Sequence, residues 1–186
     1  MSTLLLLLAD IADPKSDSRL ERMTAIYDMV CLRSFPDDQA VEALMKANKA
    51  RELSQEDVKV TMRDDPARAW DLNDGGATLW IEYPPYHACS VRWNASEVGD
   101  LTRYHAIAAI YEKLTGNYAP VQPYDDQQGD IHIHAVGEKR ILPDKRTESL
   151  FVFEQHITDA KRRKAGETGF SLRFVHQFAP PAEPGE

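Results

Sequence analysis

The most regular pattern of apolar and polar positions in this chain is the segment Ala77–Trp93, in which two alternating runs flank Pro84-Pro85. Alternation places every second side chain on the same face of a strand, so the pattern predicts a β-hairpin with one buried face. Proline cannot supply the positive φ of a two-residue turn, which favours a connection of three or five residues. We therefore expect Glu82 on the opposite face from His87 and Cys89.

Apolar residues at three- and four-residue spacing predict four helices. The first follows the capping box Ser18–Glu21 and ends near Arg33. The other helices start at Asp37, Ser54 and Asn94, where side chains suited to helix caps precede apolar stripes, and the last ends at Gly116. The run that follows Ser54, V-K-V-T-M, also alternates as a strand would, but its cap favours a short helix.

A polar connection is expected after Gly116, followed by three strands at Asp130–Val136, Ser149–Ile157 and Gly169–Phe178. The last of these alternates, with Phe170, Leu172, Phe174 and His176 on one face and Ser171, Arg173, Val175 and Gln177 on the other. Together with the hairpin these three strands make an antiparallel sheet of about five strands. Helices that cover one face of such a sheet form a two-layer α+β domain, which is the fold class we predict.

We expect a single domain over residues 18–178, preceded by an arm of residues 1–17 and followed by a Pro-rich disordered tail of residues 179–186. The arm contains Leu4–Leu8, which is too short to span a bilayer, so no transmembrane segment is predicted. It lacks the basic region and cleavage site of a signal peptide. The arm packs on the domain, is disordered, or is the end of a leader that begins upstream of Met1. The last alternative predicts a periplasmic or cell-envelope protein instead of a cytoplasmic one.

Composition narrows the class of protein. The chain has 186 residues, 42% of them hydrophobic, and a formal net charge of −8. This negative charge disfavours binding to nucleic acids, and the basic run at residues 161–164 is most simply a solvated loop.

The two cysteines lie in elements predicted to share one layer. Cys31 belongs to the apolar stripe of the first helix and Cys89 to the buried face of the hairpin. A Cys31–Cys89 disulfide is expected if the protein is exported, and buried thiols if it is not. The placement of Glu82 on the other face argues against a Glu82, His87 and Cys89 catalytic triad.

His132 and His134 are two residues apart and therefore project from one face of their strand, as pairs of metal ligands do. Ile131 and Ile133 are then expected to face the core, which leaves the histidines on a solvated face. A third ligand from Asp130, Glu154 or His156 would require a neighbouring strand.

Aromatic, charged and imidazole side chains at polar positions of the predicted sheet suggest a surface for a protein partner. The predicted binding surface comprises Trp80, Glu82, Arg92, His132 and His134. The alternative is an ordinary exposed face with one tryptophan covered by a loop.

Three segments resemble a family of small proteobacterial proteins and lipoproteins of unknown function: F-P-D-D at residues 35–38, D-P-A-R-A-W at 65–70 and P-P-Y-H-A-C-S-V-R at 84–92. The resemblance covers residues 24–115. It implies export, and with export an oxidised Cys31–Cys89 pair, but it supplies no catalytic residues. This chain departs from the family by lacking a recognisable leader or lipobox cysteine.

The sequence therefore predicts a non-enzymatic binding protein of the periplasm or cell envelope, of the inhibitor or immunity type that covers a secreted effector, with no cofactor. One alternative is a metal-dependent enzyme that uses His132 and His134. Another is a cytosolic domain with both thiols reduced.

Overall fold

The computed structural model describes residues 18–95, 97–164 and 170–181. Its helices are α1 (Ser18–Ile26), which continues as a π-helical segment (Tyr27–Leu32), α2 (Asp38–Ala47), α3 (Gln55–Met62), α4 (Thr102–Thr115) and α5 (Ala160–Lys164). Its strands are β1 (Arg51–Glu52), β2 (Ala67–Asp71), β3 (Thr78–Glu82), β4 (His87–Asn94), β5 (Ala119–Pro120), β6 (Tyr124–Gln128), β7 (Ile131–Ile141), β8 (Thr147–Ile157) and β9 (Phe170–Ala179). The predicted α+β class is confirmed.

All of these strands belong to one antiparallel sheet in the order β1-β2-β3-β4-β9-β8-β7-β5, with β6 also paired to β7. Directly opposed residues of neighbouring strands share a face, so the register defines two faces. The core face carries Leu79, Cys89, Phe174 and Val152, and the outer face carries Trp80, Ser90, Val175 and Phe151. This register determines the face of the sheet on which each candidate site residue lies.

The main hydrophobic core lies between the core face and helices α1, α2 and α4 together with the π-helical segment. Tyr27 and Met23 from the first helix and Phe174 from β9 are completely buried. The predicted alternation of β9 is confirmed, because Phe170, Leu172, Phe174 and His176 are all buried on this face. The predicted Cys31–Cys89 disulfide is present in this core and joins the π-helical segment to β4.

Cap chemistry predicted two helix starts correctly and one incorrectly. The Asp37 side chain accepts hydrogen bonds from the amides of Gln39 and Ala40, and Ser54 Oγ accepts from Asp57 N at 3.1 Å. The segment after Ser54 is therefore a helix. Asn94 does not cap α4, because it pairs with Ser171 as the last residue of β4, and α4 begins at Thr102.

The prediction that all helices lie on one face is wrong. Helix α3 packs on the outer face, where Val58 forms a second, smaller hydrophobic cluster with Ala67, Ala69 and Trp80. These strand residues occupy the face opposite to the main core, because Ala69 pairs with Trp80. Helices therefore contact both faces of the sheet, and α3 covers the outer face at β2 and β3.

The prediction of about five strands is also wrong, since the described residues form nine. The additional strands are β1, β2, β5 and β6. The segment predicted as a polar connection contains β5 and β6, which obtain their backbone hydrogen bonds from β7. Strand β6, Tyr-Asp-Asp-Gln-Gln, is exposed along its whole length and has no apolar pattern that would predict a strand.

Parts of the predicted domain boundaries lie outside the described residues, namely the arm of residues 1–17 and residues 182–186 of the tail. Ala179, predicted to begin the tail, is the last residue of β9. No helix in the described part of the chain has the length and apolar character needed to cross a membrane.

One buried polar network lies inside the core. The two ring nitrogens of His176 contact Cys31 O at 2.7 Å and Glu148 Oε1 at 2.8 Å. Glu148 also accepts from Tyr111 OH at 2.7 Å and from Arg140 Nε at 2.6 Å. Burial alone would raise the pKa of Glu148, but the hydrogen bonds from His176, Tyr111 and Arg140 lower it to about 2. Because His176 and Glu148 are fully buried, this network stabilises the fold and is closed to a ligand.

Candidate binding surface on the outer face of the sheet

The hairpin register separates the residues that a catalytic triad would require. Glu82 pairs with Ala88, so the connection between the paired positions has an odd number of residues, as predicted, and Glu82 lies on the outer face. Cys89 is in the disulfide on the core face. His87 Nε2 instead contacts Asp38 Oδ1 at 2.9 Å, and its ring packs against Phe35 with centroids 4.5 Å apart. The segments F-P-D-D and P-P-Y-H-A-C-S-V-R therefore contact each other in the fold.

Two arginines face each other at the centre of the outer face. Arg92 of β4 is directly opposed to Arg173 of β9. Like charges in directly opposed positions of a sheet are unfavourable unless another charge compensates them. Arg92 is only partly exposed. Its burial lowers the pKa of its guanidinium, and the neighbouring positive charge of Arg173 lowers this pKa further.

Only one of these arginines has a carboxylate partner in the described structure. Arg173 donates a hydrogen bond to Glu82 Oε1, and the two side chains are 30% and 18% exposed. Because β4 lies between β9 and β3, the Arg173 side chain crosses β4 to reach Glu82. Among the described residues no side chain forms an ion pair or hydrogen bond with the Arg92 guanidinium.

Trp80 shares the outer face with Glu82 and Arg92, as predicted, but it is not an exposed aromatic. It is 6% exposed and packs in the cluster beneath α3. Its Nε1 donates to Thr78 Oγ1 at 2.9 Å, so its polar atom is satisfied within the fold. Trp80 is therefore part of the smaller hydrophobic cluster and does not offer an exposed contact surface.

The aromatic part of the outer face comes from strands β7 and β8. Phe153 is directly opposed to Arg173, whose guanidinium lies 6.0 Å from the Phe153 ring centroid. Phe151, Ile133 and Ile131 continue this apolar surface and are all partly exposed. We call Arg92, Arg173, Phe151, Phe153 and Ile133 the outer-face patch.

His132 and His134 are not part of this patch, which corrects the prediction. His134 pairs with Glu154, which pairs with Leu172, and Leu172 pairs with Trp93 on the core face. Ile131 and Ile133, expected in the core, lie on the outer face. The prediction failed because it assumed that the apolar residues of a strand face the main core, whereas β7 and β8 have apolar residues on both faces.

The two histidines contact one carboxylate. His132 Nε2 is 2.7 Å from Asp125 Oδ1, and His134 Nδ1 is 3.2 Å from Asp125 Oδ2. Both hydrogen bonds lower the pKa of Asp125, and the one from His132 has the larger effect. His156 is directly opposed to His132, with ring centroids 6.2 Å apart. Within residues 18–95, 97–164 and 170–181, no three His, Cys, Asp or Glu side chains are arranged to hold a metal ion.

A cavity of about 250 Å³ lies between α4 and β7, lined by residues that include Tyr104, His105 and Glu138. Burial and the adjacent Glu138 carboxylate raise the pKa of Glu112 to about 7. The acidic side chain that lines this cavity, Glu138, distinguishes it from the outer-face patch, whose charged residues are arginines.

Sequence reasoning missed Arg173, Phe151 and Phe153 as members of the surface. Arg173 was predicted on the polar side of β9, so its face was known. Its neighbours were not, because the sequence does not specify that β9 inserts between β4 and β8.

Comparison with models of known protein families, with curated proteins and with solved structures found no match. The resemblance to a family of small proteobacterial proteins and lipoproteins therefore stays a prediction.

Proposed function

We propose that this protein is a non-enzymatic binding protein of the bacterial periplasm or cell envelope, and that the outer-face patch binds a protein partner. Its role is that of an inhibitor or immunity-type protein that covers a secreted effector. The observation that carries the proposal is the juxtaposition of two arginines with partly exposed aromatic side chains on a face that α3 covers only at β2 and β3.

The composition of the patch supports a protein as the ligand. Protein interfaces are enriched in aromatic residues and arginine, and hot spots often combine the two. The patch consists of partly exposed phenylalanine, isoleucine and arginine side chains on strands of a continuous sheet. A rigid surface of this kind loses little conformational entropy on binding.

Charge supports an acidic contact region on the partner. The chain carries a net charge of −8, yet the centre of the patch has two arginines and one carboxylate, Glu82. A local positive site on a negatively charged protein selects a partner with a carboxylate at the matching position and repels partners that are acidic everywhere.

The disulfide supports the proposed compartment. Disulfides persist in the periplasm and outside the cell, and are reduced in most cytosols. The Cys31–Cys89 bond is buried, so its sulfur atoms contribute to the core and not to the patch.

Photo-crosslinking in the native host tests the proposal. A photoreactive phenylalanine replaces Phe153 in the patch, and the matched control replaces Leu114, which is 81% exposed on α4. We expect a covalent adduct to one protein from position 153 only, with its yield reduced at least about tenfold by Arg92→Glu. The captured protein should lose its own activity when mixed with one equivalent of the binding protein.

Several outcomes would contradict the proposal. These are equal adducts from positions 153 and 114, an adduct insensitive to Arg92→Glu, an adduct to a lipid, and an adduct to a second copy of this chain.

A further inference from the structure

We infer that Arg92 and Arg173 form a binding site for a single carboxylate group, which would belong to an acidic side chain of the partner. The inference deepens the proposed function and rests on it for the identity of the ligand. The binding site itself is argued from the geometry of the outer face.

The two arginines are paired unequally within the fold. Both are directly opposed on one face, but Glu82 reaches only Arg173. Arg92 remains partly buried beside a second positive charge, with no carboxylate among the described residues bound to it. A partly buried and uncompensated guanidinium is unfavourable in the free protein, and an added anion would remove that cost.

The net charge of the site favours a carboxylate as the ligand. Arg92, Arg173 and Glu82 together carry one net positive charge. A carboxylate neutralises this site, whereas a phosphate dianion would leave it negative beside the Glu82 carboxylate. Guanidinium groups bind carboxylates through two parallel hydrogen bonds, which also fixes the orientation of the ligand.

Apolar side chains lie on two sides of the site. Phe153 lies beside Arg173 on the side away from β4, and Trp80 is buried on the β3 side. Apolar neighbours lower the local dielectric constant and strengthen the interaction between a guanidinium and a carboxylate. A carboxylate flanked by apolar side chains therefore fits the site better than a fully solvated one.

Acetate is the probe for the test, with sodium chloride adjusted to keep the ionic strength constant. The Nε–Hε signals of Arg92 and Arg173 are followed by ¹⁵N–¹H NMR during the titration. We expect both signals to shift and to saturate in the millimolar range, with inorganic phosphate giving a smaller saturable shift. In Arg92→Gln the Arg173 signal should no longer respond. The control is the signal of Arg103, which is 54% exposed and lies on α4.

Thermal unfolding provides a second measurement that does not depend on the NMR signals. If Arg92 is an uncompensated charge, Arg92→Gln should raise the melting temperature in chloride by about 2 °C and abolish the additional stabilisation by acetate.

Shifts at Arg92 and Arg173 that do not saturate and match those of Arg103 would mean an adventitious ion only, and would overturn the inference. A lowered melting temperature of Arg92→Gln would also overturn it. Saturable acetate binding without a crosslinked protein at position 153 would leave this site standing and refute the proposed partner. A protein crosslinked at position 153 without saturable acetate binding would refute the carboxylate site alone.

Discussion

Arg92 and Arg173 face each other directly across β4 and β9, and Glu82 binds only Arg173. This arrangement makes Glu82 the only carboxylate among the described residues that pairs with either of these two cations. It also makes the stability of this region sensitive to changes at Glu82, although Glu82 lies on β3, two strands away from Arg173.

Replacement of Glu82 by Gln should destabilise the fold by about 1–2 kcal/mol, because both arginines would then lack a carboxylate in a partly buried position. Urea unfolding at low and high salt measures the change, and salt should reduce it. The control is Glu42→Gln. The Glu42 side chain is 53% exposed, and its partner Arg68 keeps a second carboxylate, Glu52, when Glu42 is replaced. Equal effects of the two variants would contradict a special role for Glu82.

The buried network predicts a specific pH dependence. Because the folded pKa of Glu148 lies near 2, below its ordinary value of 4.5, its contribution is complete above pH 4.5 and is lost as the pH falls towards 2. Glu148→Gln should therefore cost about 3 kcal/mol at pH 7 and progressively less below pH 4.5.

Urea unfolding of both proteins from pH 7 to pH 2.5 provides the measurement, with the exposed residue Glu56 changed to Gln as the control. If the difference in unfolding free energy between wild type and Glu148→Gln stays constant over this range, ionisation of Glu148 does not stabilise the fold.

The disulfide joins two cysteines 58 positions apart in the sequence. Its removal should therefore lower the free energy of unfolding by about 4 kcal/mol in the chain-entropy model. The double variant Cys31→Ala and Cys89→Ala, compared with wild type by urea unfolding, gives this value. Because both cysteines are completely buried, the native protein should also resist mild reductant and release two thiols only after unfolding. Reactive thiols in the folded protein isolated from its host would contradict this account and the proposed compartment.

Gly137 of β7 has no space for a side chain. A Cβ at this position would lie 2.2 Å from Leu150 O and 2.5 Å from Phe151 Cδ1. Gly137→Ala should therefore destabilise the protein by about 1–3 kcal/mol, or more if the β7–β8 pairing separates. The additional change Phe151→Ala should not restore stability, because the nearest atom belongs to the backbone. Full rescue by Phe151→Ala would show that the restriction comes from the aromatic ring instead.

Local patterns in the sequence predicted those features that depend on neighbouring residues. The caps at Asp37 and Ser54 lie within a few residues of the amides they bind. The odd number of residues in the hairpin connection, which sets the face of Glu82, depends on one short segment. The Cys31–Cys89 pair was also predictable, because each cysteine lies on the apolar side of its own element.

Features that depend on strand order could not be predicted in this way. His134 was assigned to the outer face because Ile131 and Ile133 were assumed to face the core, and only the β7–β8–β9–β4 register shows the reverse. Strand β6 has no apolar pattern and exists because β7 offers a free edge. Arg92 and Arg173 are 81 positions apart, and their juxtaposition requires β9 to insert beside β4.

The central claim is that a carboxylate of a protein partner binds at Arg92 on the outer face. A charge exchange between the two purified proteins tests it most directly, with affinities measured by isothermal titration calorimetry. Arg92→Glu should weaken binding at least about tenfold, and changing one acidic residue of the partner to Lys should restore it, with a coupling energy of at least about 1.5 kcal/mol. If no acidic residue of the partner couples to Arg92, or if Arg92→Glu leaves the affinity unchanged, the claim is wrong.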